Sequence, residues 1–182
     1  VVEAWCTVTQ NIMDVWRLPD EAFPRRADLP FLSECGYVPA MTSCLRAALK
    51  EVGGEASTVA RFLLTGPDRR AAARAVVTVG GAVEQLDERP ASFAGDMGSV
   101  MPAAQLALAL ETAAPGERIV LGAYGSGIAD AVVLRVTDRM AAARAAGLVS
   151  RWIARRAVLG YERFLKFKRV LLGEEPLHPF SS

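Results

Sequence analysis

A chain of 182 residues with 21 basic and 20 acidic side chains carries a net charge of +1, too balanced for the basic footprint of a nucleic-acid binder. Its 52% hydrophobic content and mean hydropathy of +0.23 suit one packed domain, alone or with a tail, and its Ala, Val and Leu suit helices laid on a sheet. No apolar run approaches the roughly 20 residues that span a bilayer, and Val1–Trp5 shows no basic leader or cleavage site, so a cytoplasmic protein without a membrane is expected.

Val2 to Trp16 reads as extended, with Val2, Ala4, Cys6 and Val8 on one side of an alternation. A chain that starts in strand-like sequence without methionine is expected to be one piece of a longer protein. A charged, Pro-containing loop is expected from Leu18 to Pro39. Met41 to Val52 is helical, with Leu45, Ala48, Leu49 and Val52 on one face and Gly53-Gly54 ending it. Val59 to Thr65 is a short strand. Gly66-Pro67-Asp68 turns the chain into a helix from about Arg69 to Val79, and Val83 to Leu86 is a candidate strand.

Met101 to Thr112 is apolar on nearly all sides, hence a buried helix, with Pro102 in its first turn and Pro115-Gly116 beyond its end. Arg118 to Ala123 and Ala129 to Thr137 are strands joined by Gly125-Ser126-Gly127 into an antiparallel hairpin. Asp138 is expected to N-cap a long Arg- and Ala-rich helix reaching about Val158. Tyr161 to Ser182 reads as a short helix running into a linker. The order describes a layered α/β half-domain without internal repeats. The expected divisions are residues 1–137 as the half-domain, 138–172 as a helical extension and 173–182 as a linker or tail.

Two glycine-punctuated corners stand out. Gly95-Asp96-Met97-Gly98-Ser99 opens a helix, and Gly122-Ala123-Tyr124-Gly125-Ser126-Gly127 closes a strand. Glycines at such places let backbone approach a ligand or a packed neighbour, and α/β proteins commonly build sites at the ends of strands. Cys6, Cys35 and Cys44 form no C-x-x-C pair, and the single histidine, His178, lies in a Pro-flanked tail. Reduced structural thiols are therefore expected, with no metal site and no Cys–His nucleophile. Cys44, at helical spacing from Ala40, Ala47 and Ala48, is expected in the core.

With these elements placed, the sequence resembles the C-terminal half of a thiolase-superfamily enzyme. It is most similar to hydroxymethylglutaryl-CoA synthases and type-three ketoacyl synthases. Asp14-Val15-Trp16-Arg17 looks like the family's strand end before a Pro-rich loop. Thr65-Gly66-Pro67-Asp68 resembles its His-x-Pro-Asn/Asp turn, and Gly95-Asp96-Met97-Gly98-Ser99 resembles its Gly-Asn-x-x-Ser helix start. Pro115 to Gly127 resembles its strand and hairpin, and Tyr161-Glu162-Arg163-Phe164-Leu165-Lys166 its tail. The likeness spans about residues 2 to 172.

That resemblance implies one βαβαββ half of the five-layered αβαβα fold. It implies a nucleophilic cysteine in a partner N-terminal half, from the same protein or a separate subunit, and a dimer. The substrate implied is an acyl-CoA or acyl-carrier thioester, with no further cofactor. Leu177-His178-Pro179-Phe180 resembles a linker to an OB-fold acyl-CoA-binding partner. Thr65 and Asp96 take the catalytic positions; Gly66, Pro67, Gly95, Gly98, Tyr124, Gly125 and Ser126 take the substrate-binding ones.

Both catalytic positions depart from the pattern. The family's histidine and asparagine donate to a developing oxyanion, which needs donors at about 3 Å. A threonine hydroxyl donates one hydrogen bond but is no acid at neutral pH, and an ionised aspartate only accepts. Thr65 is either a surviving donor or a strand-end residue satisfying its own backbone. Asp96 is either a carboxylate facing substrate or one stabilised at a helix N-terminus. The Gly125-Ser126-Gly127 turn is either structural or a border of the site. The basic series Arg151, Arg155, Arg156, Arg163, Lys166, Lys168 and Arg169 is either a solvated or partner-facing surface or a contact for CoA phosphates. Two functions stay open: half of a thioester acyltransferase, or a catalytically degenerate assembly subunit. A free-standing hydrolase has no G-x-S-x-G elbow to support it.

Overall fold

The computed structural model describes residues 1–89, 92, 95–140 and 147–168. Its centre is the hairpin of β5 (Arg118–Gly125) and β6 (Ile128–Arg135), turned by Ser126 and Gly127 with φ of 50° and 78°. Two successive positive φ values give the turn whose twist matches paired strands. Gly127 has no substitute there, because a Cβ would lie 2.5 Å from the Gln10 carbonyl oxygen. β1 (Val2–Thr9) pairs antiparallel with β6, and β4 (Arg61–Leu64) pairs parallel with β5, giving the order β1-β6-β5-β4. β2 (Val15–Trp16) and β3 (Arg25–Arg26) form a separate two-residue ladder.

Strand alternation gives this sheet two unlike faces. On the first, Ala4, Phe62, Val120, Ala131 and Val133 pack under α2 (Val38–Glu51) and α3 (Arg69–Thr78), the helices supplying Leu45, Ala48 and Val76. Cys44 is buried there, its thiol donating to the Cys6 and Ala129 carbonyls at 2.9 and 3.3 Å. On the second face, among the described helices, α4 (Met101–Thr112) packs, its Ala109 joining Leu63 and Ile119. The Arg61 guanidinium, at the start of β4, reaches the last turn of α4 at Thr112 Oγ1 (2.7 Å). α4 therefore runs back along β4, and its N-terminus lies toward the end of β4. α5 (Leu148–Ala154) docks on α4 through Glu111, whose carboxylate accepts the Val149 and Ser150 amides at 2.7 and 3.2 Å. α6 (Tyr161–Phe167) follows.

Several expectations are corrected. The segment from Leu18 to Pro39 is not all loop. Asp28 caps α1 (Leu29–Phe31), a π-helical stretch follows at Leu32–Tyr37, and α2 starts at Val38. Proline at a first helical turn costs no internal hydrogen bond, so Pro30 and Pro39 open helices. A bulge between Val2 and Ala4 removes Val2 from the face of Ala4, Cys6 and Val8. Val83–Gln85 is a 3₁₀ turn, with one bridge from Leu86 to Phe62. The Gln85 amide holds it by donating to the Ala56 carbonyl at 3.0 Å. α4 is not buried all round: among the described residues Met101, Gln105, Leu108 and Ala109 are buried and most of the others are half-exposed. The Asp138-capped helix falls partly on 141–146, outside the described residues. Beyond them Gly147 adopts φ 47°, and α5 stops at Ala154, short of Val158. Residues 169–182, with Arg169, His178 and the expected linker, also lie outside.

At the bulge Glu3 fastens three strands, accepting from Arg118 on β5 at 2.8 Å and Arg135 on β6 at 2.5 Å. Partial burial raises the Glu3 carboxyl, but the two guanidiniums together hold it below the usual carboxylate range. A depressed carboxyl stabilises the fold above its unfolded pKa, and that contribution fades as pH falls through the folded value. Glu3→Gln is expected to cost about 1 kcal/mol at pH 7. The difference from wild type should shrink below about pH 4 in urea titrations across pH.

At the end of β4, Gly66 lies flat against the fully buried Tyr37, where a Cβ would come 2.3 Å from the ring. Tyr37 meets Tyr124 edge-on, with centroids 5.4 Å apart. The Tyr37 phenolic oxygen has no hydrogen-bond partner among the described residues. Overpacking a well-filled contact costs roughly 1–3 kcal/mol, whereas deleting an unpartnered hydroxyl is near neutral. Gly66→Ala is thus expected to lower the thermal midpoint sharply, and Tyr37→Phe to leave it unchanged or raised.

Candidate active site

Thr65 directly follows β4. Its amide donates to the Gly122 carbonyl at 2.9 Å, and its hydroxyl reaches the same oxygen at 3.4 Å. Alternation puts Thr65 on the side of Leu63, the α4 side, next to Ala123 in the β4–β5 register. Across the sheet that row continues through Asp130, opposite Ala123, to Thr7, opposite Asp130. Thr7 Oγ1 donates to Asp130 Oδ1 at 2.6 Å.

Asp96 lies in an exposed loop with Gly95 and Gly98 at φ of 70° and 60°. Its carboxylate accepts the Gly98 amide at 2.8 Å and so closes the turn before the 3₁₀ segment Gly98–Val100. The carboxylate thus serves this turn rather than the first residues of α4. The direction of α4 puts this loop at the same end of the sheet as Thr65. No hydrogen bond among the described residues joins the two.

Tyr124 stands on the opposite face, against Tyr37, so it backs the strand end rather than lining the Thr65 side. Burial first, and then the Asp14 carboxylate, push its phenol up, with the Gly127 amide opposing, so it stays neutral. Burial and the nearby Asp68 raise Tyr37 likewise. Asp68 itself caps α3, accepting the Ala71 amide at 2.8 Å, which fixes the exit from the Gly66-Pro67 turn. At the hairpin tip, Ser126 donates its amide to the buried Asp14 carboxylate at 3.1 Å, beyond the exposed Gly125.

One end of the sheet therefore gathers Thr65, Gly66, Pro67, Tyr124, Gly125 and Ser126, with the Asp96 loop brought there by α4. The sequence reading gave Asp14 no place in the site and passed over Tyr37 and the Thr7–Asp130 pair. An aspartate in the polar phase of the otherwise apolar Ile128–Val133 was the available signal, since strands disfavour it. Among the described residues no group of His, Cys, Asp and Glu is arranged to hold a metal. Cys44 is a poor nucleophile, its thiol pushed up to about 12 chiefly by burial, with Cys6 adding. The chemistry on offer is one hydroxyl donor and one carboxylate acceptor, on a face that is open beside α4. No described helix is long and apolar enough to cross a membrane.

No protein-family model matches the sequence. Hydroxymethylglutaryl-CoA synthase of Methanocella arvoryzae is 31% identical over 144 residues, 77% of this chain and 41% of that protein. The synthase of Archaeoglobus fulgidus is 27% identical over 170 residues, 92% of this chain and 49% of that protein. The chain thus spans about half the length of the curated relatives it matches. Among solved structures, an HMG-CoA synthase complexed with CoA superposes with a TM-score of 0.70 at 18% identity, over 91% of this chain and 46% of that one. The 3-oxoacyl-(acyl carrier protein) synthase III of Pseudomonas aeruginosa gives 0.64 at 18% identity, over 75% and 44%. The described sheet and helices have the thiolase-like fold, and the sequence is similar to hydroxymethylglutaryl-CoA synthases over 77–92% of this chain.

Proposed function

We propose that this chain is the C-terminal half of a thiolase-like acyltransferase acting on acyl-CoA or acyl-carrier thioesters, by Claisen-type condensation, cleavage or acyl transfer. The observation that carries the reading is the half-length match: 77–92% of this chain aligns with synthases of which it covers 41–49%. The open side of the sheet supports it, because Trp5 is 73% exposed on a surface that a second half would cover. In this reading the nucleophilic cysteine comes from the N-terminal half. Thr65 gives up its long bond to Gly122 and donates to the thioester carbonyl as negative charge develops there. Asp96, steadied by the Gly98 amide, accepts from a hydroxyl or amide of the substrate. Gly66, Pro67, Gly95, Gly98, Gly125 and Ser126 border the thioester, and Tyr124 supports them from behind.

A second reading, an assembly subunit that completes a dimer or docks an OB-fold partner, is favoured by one specific fact. The Thr65 hydroxyl and the Asp96 carboxylate both serve their own backbone. Co-expression with the cysteine-bearing half and an assay of CoA release from acetyl-CoA and acetoacetyl-CoA separates the two. The acyltransferase reading predicts turnover, and a fall in kcat of roughly 10²-fold for Thr65→Ala, the usual loss of one oxyanion donor. Absence of turnover, with Thr65→His/Asp96→Asn also inert, gives the assembly reading. A gain of condensation by that double variant identifies a degenerate enzyme site.

A further inference from the structure

The open part of the second sheet face sets exposed Trp5 and Ile128 on either side of a carboxylate and its threonine neighbours. Along β1 and β6 the cross-strand pairs are Trp5 with Val132, Thr7 with Asp130, and Thr9 with Ile128. α4 packs over Leu63 and Ile119 on the β4–β5 side, leaving Trp5 and Ile128 73% and 42% exposed. Asp130 is exposed among them, takes one hydrogen bond from Thr7, and forms no ion pair among the described residues.

We propose that Asp130, oriented by Thr7, sets the seating of the N-terminal half by accepting a cationic or N–H donor group from it. This rests on the two-half reading above. The occupant follows from length: relatives of this chain have about as much protein again beyond the matched segment, and the uncovered face is where it would pack. An ionised carboxylate accepts at about four positions, and Thr7 fills one. Covering it with apolar side chains alone leaves a buried, under-paired charge, which is strongly unfavourable. The occupant must therefore bring a donor to that one point of the face. A seating shifted along the sheet leaves the charge unpaired, and a second copy of this face brings no cation there, only the Trp5 indole, Ile128 and a second Asp130 carboxylate. The carboxylate thus selects the partner and its register together.

The test is titration of this chain with the cysteine-bearing half from the same genome, expressed separately, followed by calorimetry and by Trp5 emission. Association of the wild-type chains with a blue shift that is lost in Trp5→Leu locates the covered face. Asp130→Ala and Asp130→Lys are expected to weaken association at least tenfold, Asp130→Asn less, and Thr7→Val least. Each should keep the thermal midpoint of the lone chain, since Asp130 is exposed there. The proposal is overturned if the Asp130 variants bind as tightly as wild type while Trp5 still shifts, which leaves the two-half reading intact. Failure of the wild-type halves to associate overturns both.

Discussion

Register of the β5–β6 hairpin is the constraint on which the remaining geometry rests. Side chains alternate along a strand, so a slip of one residue would exchange everything on the two faces. Ser126 and Gly127 set that register through their left-handed φ values, and the Gly127 carbonyl is tied to the Gln10 amide at 2.8 Å. β1 then pairs with β6, and β4 with β5, so three registers depend on one turn. The row from Thr65 through Ala123 and Asp130 to Thr7 is a consequence, as is the position of Tyr124 on the reverse side. Asp14 belongs to the same device, because its buried carboxylate holds the Ser126 amide at the tip.

The backbone frame around Thr65 and Asp96 is separable in this chain from the side chains that stand in it. Parallel pairing of β4 and β5 brings Thr65 beside Ala123, and the return path of α4 brings the Asp96 loop to the same end. Those placements depend on backbone hydrogen bonds and on Arg61 at the last turn of α4. The Thr65 placement survives whatever side chain occupies position 65, while position 96 needs an acceptor for the Gly98 amide, which an asparagine would also supply. A hydroxyl in place of an imidazole keeps one donor and loses the acid; a carboxylate in place of an amide loses the donor and adds charge. Electrostatics at these two positions, rather than the fold, is where this chain departs from the His-x-Pro and Gly-Asn turns that its sequence resembles.

Much of this was legible in the sequence because it is encoded locally. Gly53 ends α2 and Asp68 caps α3, as their residue types indicate, and the glycine-framed turn announces the hairpin. The segment 18–39 misled because its prolines mark helix starts as readily as loops, and only packing of Tyr37 on Gly66 and Tyr124 decides between them. Val83–Leu86 has strand composition, but the Gln85 side chain satisfies backbone carbonyls that a neighbouring strand would otherwise occupy. Within the candidate site, the turns that carry Thr65 and Asp96 were readable as a strand end and a helix entry. Their partners were not, since Gly122 is 57 residues from Thr65 and Asp130 is 123 from Thr7. The face on which each side chain stands follows from register, which no local pattern states.

The unequal covering of the sheet links this geometry to the half-length of the chain. α2 and α3 bury the first face with Leu45, Ala48 and Val76 against Phe62 and Val120, a core that is complete within the chain. α4 joins a much smaller cluster on the second. Over the remainder, exposed Trp5 and Ile128 stand beside Thr7, Thr9 and Asp130, more apolar area than a solvated sheet face needs. Apolar side chains supply adhesion without direction, and the Thr7–Asp130 pair adds the direction that adhesion lacks. The same face thus carries Thr65 at its β4 edge and an uncompensated carboxylate toward β1, so whatever covers the second also closes over the first.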